Sequence, residues 1–463
     1  MSNPWKQIEA LWEMRRVIRR KPAAIAVRQR AFLREFVQFA RMHSPYYQRL
    51  YQRLPANIQH LSQLPVVTKP DLMAHFDDWA TDRAVTRAAA ELFLADKTRV
   101  GHHFLKRYLL YTSSGSTGEQ AIFVQDKNAL IHYRTLNILS MGWDTLRAVM
   151  RAGGRWAMIT ATTQEHLGST SAFKLLERIP VLKLLFKQVR ILSMAVPFSE
   201  LLDELNTYQP HALIGYSGIV SNLASEQIAG HLHLKPLLIG TGSEWIPREE
   251  HERIRTVFQC ATHDVYAAAE CPSIAFSCEQ GYMHSYSDRV ILEAVDKDYQ
   301  PVEPGQQSYT VLLTNLINRV QPVIRYDLSD SVTMRPDPCP CGNPFPAFQL
   351  QGRKNDPLLL NGKAIFPGVA IQMFQHVPGV ERFQVVQTAS NRLKLRLKVA
   401  PDYDQEQVWA ITISRMQALL EAEGVVPVLL ERSTELPMVD PVSGKYRYVS
   451  VDMAADRDVP VHL

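Results

Sequence analysis

The chain has little cysteine, no long uninterrupted apolar run and little net charge, and each shortage excludes a class of protein. Five cysteines in 463 residues, an odd number behind an N-terminus with no apolar leader, do not form a disulfide framework and read as reduced thiols or metal ligands. No segment approaches the roughly twenty consecutive apolar residues of a membrane span. No membrane span and a cytoplasmic location are therefore expected. A net charge of +5, from 51 basic and 46 acidic residues, attracts small anions weakly and falls short of the concentrated basic patch that nucleic-acid binding needs, so no nucleic-acid partner is expected. What is present is an ordinary globular composition, 46% hydrophobic and 21% charged, long enough for two or three folding units. There are no internal repeats or low-complexity tracts.

The most informative stretch is Tyr111-Thr-Ser-Ser-Gly-Ser-Thr-Gly-Glu-Gln120. Apolar runs on both sides, Tyr108 to Tyr111 and Ala121 to Val124, predict buried strands, which leaves the Gly/Ser/Thr segment as a loop. Gly115 and Gly118 let the chain turn without a Cβ clash. Ser113, Ser114, Ser116 and Thr117 add hydroxyls to a run of backbone N–H groups, a combination that can wrap phosphate oxygens. No Gly-Lys-Ser/Thr follows, so this is not a Walker loop. Taken alone, the same run also reads as a flexible loop.

Along the rest of the chain, residues 5 to 42 carry helical periodicity with many arginines, including Met14-Arg-Arg-Val-Ile-Arg-Arg-Lys21. A basic amphipathic helix can lie on a membrane, but a helix packed on the main domain with a solvated basic face is commoner and is the reading adopted. Thr68-Lys-Pro-Asp71 reads as a helix start. From Arg155 to about Gly242, apolar strands (Trp156–Thr160, Val189–Leu192, Ala212–Tyr216, Leu237–Gly240) alternate with amphipathic helices (Ser199–Tyr208, Ile219–Ile228). That rhythm predicts βαβ units and a mostly parallel, helix-covered sheet, with ligands beyond the carboxyl ends of its strands. The turns Gly215-Tyr-Ser-Gly218 and Gly240-Thr-Gly-Ser-Glu244 follow two of those strands and are pocket candidates, although each could be a packing turn. A β-rich stretch follows through Tyr309–Thr314 and Val323–Asp330. After Gly352-Arg-Lys-Asn-Asp-Pro357 the character changes to a small α+β tail: a short strand, a helix from about Gly368, a hairpin from Phe383 to Val399, a helix from Asp404 to Glu423 and a final strand. The boundary is expected at residues 353–356, with an N-terminal domain of residues 1–352 and a C-terminal domain of residues 357–463.

Five of these segments, in order, resemble the adenylate-forming acyl-CoA synthetase superfamily, and within it the phenylacetate-CoA ligase and CapK-like branch. The resemblance runs from about residue 30 to the C-terminus. Ser113-Ser-Gly-Ser-Thr-Gly118 is similar to the family's phosphate loop. Tyr266 to Glu270 is similar to its Tyr-Gly-x-x-Glu segment, with Ala267 for the glycine. Arg325-Tyr-Asp-Leu-Ser-Asp330 resembles Tyr-Arg-Thr-Gly-Asp, Gly352-Arg-Lys-Asn-Asp356 the hinge motif Gly-Arg-x-Asp-Asp, and Val442-Ser-Gly-Lys-Tyr-Arg447 the segment that carries the adenylation lysine. The resemblance implies a large N-terminal α/β domain with a β-rich subdomain and a small mobile C-terminal lid.

It also implies residue roles. Lys445, Glu270 and Arg353 are the catalytic residues: Lys445 stabilises charge on the phosphoryl group, Glu270 holds Mg²⁺, and Arg353 belongs to the hinge motif. Asp330 receives the ribose hydroxyls of ATP, Tyr266 stacks near adenine, and Gly242, Ser243 and Glu244 line its edge. Trp143, Tyr216, Ser217 and Trp245 form the acid pocket. Attack of a carboxylate on the α-phosphate of ATP gives an acyl-AMP, which a thiol of coenzyme A or of a carrier protein's phosphopantetheine arm then takes over. An aromatic acid is the favoured substrate. Asn355 at the usual hinge aspartate, Glu119-Gln120 after the phosphate loop and Asp327 in place of an arginine are departures from the pattern. An amine or phenol acceptor, or a catalytically silent nucleotide-binding scaffold, are the competing readings.

Cys278 and His284, with Cys339-Pro-Cys341-Gly342 further on, offer three thiols and an imidazole, the donor set of a closed tetrahedral zinc site. Similar positions in some CapK-like relatives suggest a structural metal. Four unconnected residues in a reducing compartment are the alternative. Cys260 and Cys271 read as buried apolar residues.

Overall fold

A computed structural model describes residues 9, 12–13, 16–17, 20–55, 57–58, 60–99, 102–113, 121–160, 188–193, 196–243, 246, 248–353, 358–365, 377–422, 424–438 and 446–452. The chain divides into two compact units, Met1–Leu328 with Thr333–Gln349, and Ser329–Val332 with Leu350–Leu463.

The first unit opens with helix α1 (Pro22–His43). The helical pattern expected over residues 5 to 42 is interrupted here. Pro22 has no N–H to donate and holds Lys21 extended (φ −68°, ψ 148°), so α1 starts afresh at the proline. Ile25, Phe36, Val37 and Ala40 bury one face of α1, as adopted above. A hairpin follows, β1 (Tyr108–Thr112) and β2 (Ile122–Asp126), antiparallel with Tyr111 opposite Phe123. Asp126 caps α2 (Lys127–Ser140) by accepting from Ala129 N at 2.8 Å, and α3 (Trp143–Arg151) comes next.

The central sheet begins with β3 (Arg155–Thr160), β4 (Gln188–Ser193), β5 (Ala212–Ile214), β6 (Leu238–Gly242) and β7 (Ala261–Ala268), ordered β4-β3-β5-β6-β7 and parallel throughout. Helices α4 (Phe198–Tyr208), α5 (Ser217–Ile228) and α6 (Arg248–Phe258) connect its strands. Against one face Ile138, Leu146 and Val149 from α2 and α3 pack on Trp156, Ala212 and Leu238. The sheet continues antiparallel through β8 (Cys271–Ser277) and β9 (Met283–Ser285). It is followed in the strand order by β14 (Ala347–Arg353) and β13 (Asp330–Met334). A three-stranded antiparallel sheet, β10 (Val290–Val295), β11 (Thr310–Asn315) and β12 (Val323–Asp327), supplies the β-rich part. The expected α/β class, with a parallel sheet and a β-rich subdomain, is the observed one.

The second unit pairs β15 (Leu358–Leu360) with β16 (Lys363–Ile365). It also forms a four-stranded sheet ordered β19-β18-β17-β20 from β17 (Val380–Ala389), β18 (Arg392–Val399), β19 (Leu429–Arg432) and β20 (Val449–Val451), with helix α7 (Gln405–Ala422). The expected hairpin and long helix are present, but two strands follow the helix where one was expected. Each is short and pairs in parallel with a member of the hairpin, β19 with β18 and β20 with β17, so a three- or four-residue segment suffices. The helix expected from Gly368 lies outside the described residues.

Charge is buried where α1 meets the strand-rich part of the first unit. The guanidinium groups of Arg28 and Arg289 both lie over the Phe32 ring, 4.6 and 4.1 Å from its centroid. Both arginines pair with Glu13, and both stand near Asp288, at 3.8 and 3.7 Å. The Asp288 carboxylate is fully buried, and neither oxygen has a hydrogen-bond partner among the described residues. Burial outweighs the two cations and pushes its carboxyl from the ordinary 3.8 up to about 6. The folded-state value is the raised one, so this group's contribution to stability is complete below about pH 4 and is lost as pH rises through about 6, by up to about 3 kcal/mol. In urea titrations between these limits, wild type should lose stability relative to Asp288→Asn as pH rises. Parallel pH profiles for the two proteins would contradict this.

Candidate functional site

Parallel strands end on one edge of a sheet, and the carboxyl ends of β5, β6 and β7 carry three of the expected segments. Tyr216 and Ser217 follow β5, Gly242 and Ser243 close β6, and Glu270 follows β7. Two of these segments differ from the turns predicted for them. Ser217 and Gly218 already form the first turn of α5, and Gly242 is the last residue of β6. The Ser217 hydroxyl reaches Gly242 O at 3.4 Å, which ties the two strand ends together. A Cβ on Gly242 would stand 2.9 Å from Val265 O, so β6 and β7 approach this closely only with glycine there. The chain leaves the sheet at Ser243 with a left-handed φ of 67°. Tyr266 lies half-buried on β7 with its ring 6.2 Å from that of Phe348, and Trp143 begins α3.

Glu270 occupies the β7–β8 turn and is only 7% exposed. A buried carboxylate needs hydrogen bonds, and the Tyr326 hydroxyl donates to its Oε1 at 2.7 Å. Its backbone is pinned as well. Asn315 Nδ2 donates to Glu270 O at 3.0 Å, and Gln125 Nε2 donates to Ala269 O at 3.0 Å. The strand that supplies Tyr326 is held under strain. Arg325 takes a left-handed φ of 49°, costly for a residue with a Cβ, and is fixed there by Leu64 O at 2.5 Å, Glu293 at 3.2 Å and the Thr314 hydroxyl at 3.0 Å. Asp327, two residues further on, accepts from Thr310 Oγ1 at 2.6 Å and from the Tyr299 hydroxyl at 3.1 Å.

In the second unit Asp330 and Arg353 form an ion pair, Nε to Oδ1 at 3.1 Å, between the start of β13 and the end of β14. Asp330 is therefore a strand residue, and the left-handed position lies one residue earlier, at Ser329 with φ 61°.

Cys278, His284, Cys339 and Cys341 converge, with their four ligand atoms within 4.8 Å of one another. The Cys278 and Cys339 sulfurs are 3.8 Å apart, and Cys341 Sγ lies 3.3 Å from His284 Nε2. Tetrahedral zinc, with bonds of about 2.3 Å to sulfur and 2.0 Å to nitrogen, would set such separations at about 3.5 to 3.8 Å. His284 Nδ1 faces Phe345 O at 2.9 Å, which assigns the proton to Nδ1 and aims the Nε2 lone pair into the cluster. The Cys339–Gly342 segment is a tight turn, closed by Gly342 N to Cys339 O at 3.1 Å with φ 76° at the glycine. Burial, together with the neighbouring thiols, pushes the Cys341 thiol up to about 12 and raises that of Cys278. A cation is what would keep these sulfurs as thiolates. Cys260 and Cys271 lie outside the cluster; Cys271 is buried as expected, whereas Cys260 is only half-buried, and burial raises both thiols to about 12.

Of the remaining candidates, Ser113 ends the described part of the hairpin, with its N bonded to Ala121 O at 3.0 Å and its Oγ accepting from Ala121 N at 3.3 Å. Ser114, Gly115, Ser116, Thr117, Gly118, Glu244, Trp245, Asn355 and Lys445 lie outside the described residues. Sequence reasoning missed Tyr326, Asn315 and Gln125 as supports of Glu270. The available signal was polar amides at the ends of apolar strands, since a buried amide requires a partner.

No family model matches the chain, and no curated protein matches it. Solved structures do. A 2-hydroxyisobutyryl-CoA ligase in the postadenylation state, in complex with R3-HIB-AMP, is similar at a TM-score of 0.66 and 20% identity over 93% of this chain and 89% of that one. The same ligase with 2-HIB-AMP and CoA in its thioesterification state gives 0.52 and 19% over 93% and 90%. A benzoate CoA ligase from Burkholderia xenovorans LB400 gives 0.50 and 16% over 71% and 66%. At these identities the likeness establishes the fold, that of the acyl-CoA ligases.

Proposed function

We propose that the protein activates a carboxylic acid with ATP and transfers the acyl group to a thiol. The observation that carries this reading is the Glu270 carboxylate, buried at the carboxyl edge of the parallel sheet and held by Tyr326, in a fold whose solved relatives contain acyl-AMP and CoA. In the first step a carboxylate oxygen of the acid bonds to the α-phosphorus of ATP and pyrophosphate leaves. In the second, the thiol sulfur bonds to the acyl carbon, the C–O bond breaks, and AMP leaves with the acid's oxygen; the thiol proton passes to solvent.

Glu270 suits Mg²⁺, because a hard cation takes carboxylate oxygen, and such an ion would offset charge on the phosphates. Lys445 is assigned to the charge that builds on the transferred phosphoryl group, and the loop from Ser113 to Gly118 to the phosphate oxygens through its N–H and hydroxyl groups. Asp330, oriented by Arg353, is assigned to the ribose hydroxyls, and Tyr266 with Gly242, Ser243 and Glu244 to adenine. Residues 353–356, with Asn355 at the usual aspartate, are the hinge of this reading. Zinc at Cys278, His284, Cys339 and Cys341 is structural, because four protein donors leave no position for substrate.

Coenzyme A is the acceptor favoured here, with a carrier protein's phosphopantetheine arm as the variant. The aromatic preference rests on the residue types assigned to the acid pocket, Tyr216 at the end of β5, Trp143, Ser217 and Trp245. Pyrophosphate release with ATP and Mg²⁺ across aryl and branched aliphatic acids tests both levels. Acid-dependent release is expected, strongest with an aryl acid. A stronger response to a branched aliphatic acid would remove the aromatic preference, and silence with every acid would remove the function.

A further inference from the structure

The basic surplus of the chain sits at one end. Its first 53 residues contain twelve Lys and Arg against three Glu, a net of +9, which leaves the other 410 residues at −4 within a total of +5. None of the function proposed above uses this segment. Two of its three acids are occupied, Glu13 by Arg28 and Arg289 and Glu35 by Arg319, while Glu9 is exposed. Arg16, Arg20, Lys21, Arg30 and Arg34 are exposed, and none of them pairs with a carboxylate among the described residues.

Exposed apolar side chains occur along the same segment as the exposed cations. Trp12 is 61% exposed, Val27 59% and Met42 62%, and Trp12 is the one tryptophan among the described residues that is mostly exposed. At about 100° per residue, Val27, Arg30, Arg34, Gln38 and Met42 fall within about a third of the circumference of α1. No acid lies in that arc, while Ile25, Phe36 and Ala40 are buried on the opposite side. On the preceding helical segment Val17 is buried and Glu13 faces Arg28, which leaves Trp12 and Arg16 outward.

We propose that this N-terminal face docks on a bilayer surface carrying anionic phospholipid, with Trp12 at headgroup level and the arginines against the phosphates. A tryptophan gains from the headgroup region because its ring is apolar and its N–H is polar. Each cation near an anionic leaflet contributes about 1 kcal/mol, and several add up to stable peripheral binding. The pattern favours lipid over an acidic protein. Trp12, Val27 and Met42 are separate side chains among cations, which can each enter between headgroups, whereas a protein interface needs a contiguous apolar centre.

The test is flotation of the full-length protein with vesicles of phosphatidylcholine alone and of phosphatidylcholine with phosphatidylglycerol, at low and high salt. Binding to the anionic vesicles that weakens with salt is expected. The double variant Arg30→Glu/Arg34→Glu should bind at least about thirtyfold more weakly, from about fivefold per cation lost. Trp12→Ser should also bind more weakly while keeping the salt dependence. All three side chains are exposed, so unchanged urea midpoints separate docking from folding. Equal binding to neutral and anionic vesicles, no binding at low salt, or variants that match wild type would overturn the proposal; absence of lipid binding would return this face to an acidic protein partner.

Discussion

Glu270→Gln is expected to lower acid-dependent pyrophosphate release by about 10² to 10³, the usual cost of removing one positioned electrostatic group from a reacting phosphoryl site. The substitution keeps shape and volume. The Tyr326 hydroxyl, now 2.7 Å from a carboxylate oxygen, can donate to the amide oxygen instead, and the bonds from Asn315 and Gln125 go to main-chain carbonyls that the change does not touch. What disappears is the negative charge that would hold Mg²⁺. The thermal midpoint should therefore stay close to wild type while the rate collapses, and higher Mg²⁺ should restore part of it. A variant that releases pyrophosphate at the wild-type rate would remove Glu270 from the reaction.

The second large effect concerns Cys339→Ser. If zinc is held by Cys278, His284, Cys339 and Cys341, the purified protein carries about one zinc per chain, and the variant loses it. Metal that binds only the folded chain contributes its binding free energy to folding, so loss of a ligand should cost several kcal/mol, on the order of 5 to 10 °C in thermal midpoint. The ligands come from the β8–β9 connection, β9 and the turn before β14, and the metal would join these segments within the first unit. Pyrophosphate release per folded molecule should survive, because a metal held by four protein donors would have no position for substrate. Wild-type protein free of zinc, with a midpoint that the substitution leaves unchanged, would overturn the assignment.

The parallel half of the fold was legible because β3, β5 and β6 are apolar runs separated by amphipathic helices, a pattern that local chemistry imposes. The two β strands after α7 were harder to read. Each has only three or four residues and is fixed by pairing with a distant hairpin rather than by its own composition. Glu270 was reached through the resemblance of Tyr266–Glu270 to a family segment, and the grouping of Cys278, His284, Cys339 and Cys341 through residue type and spacing. Tyr326 was not, because its partner lies 56 positions away and nothing in Arg325-Tyr326-Asp327 distinguishes a hydroxyl that meets a buried carboxylate from one that meets solvent. The Asp126 cap of α2 is written in neighbouring residues, whereas the strained φ of Arg325 exists only because Leu64, Glu293 and Thr314 surround it.

The most direct test of acid adenylation follows the acid's own oxygen. An acid that responds in the pyrophosphate assay, labelled with ¹⁸O in its carboxylate, is incubated with the protein, ATP, Mg²⁺ and coenzyme A, and the nucleotide product is weighed by mass spectrometry. Attack on the α-phosphorus followed by thiol transfer leaves one labelled oxygen on AMP, and this is the predicted result. ADP accompanied by labelled inorganic phosphate would place the attack on the γ-phosphorus and contradict the account, as would AMP that carries no label.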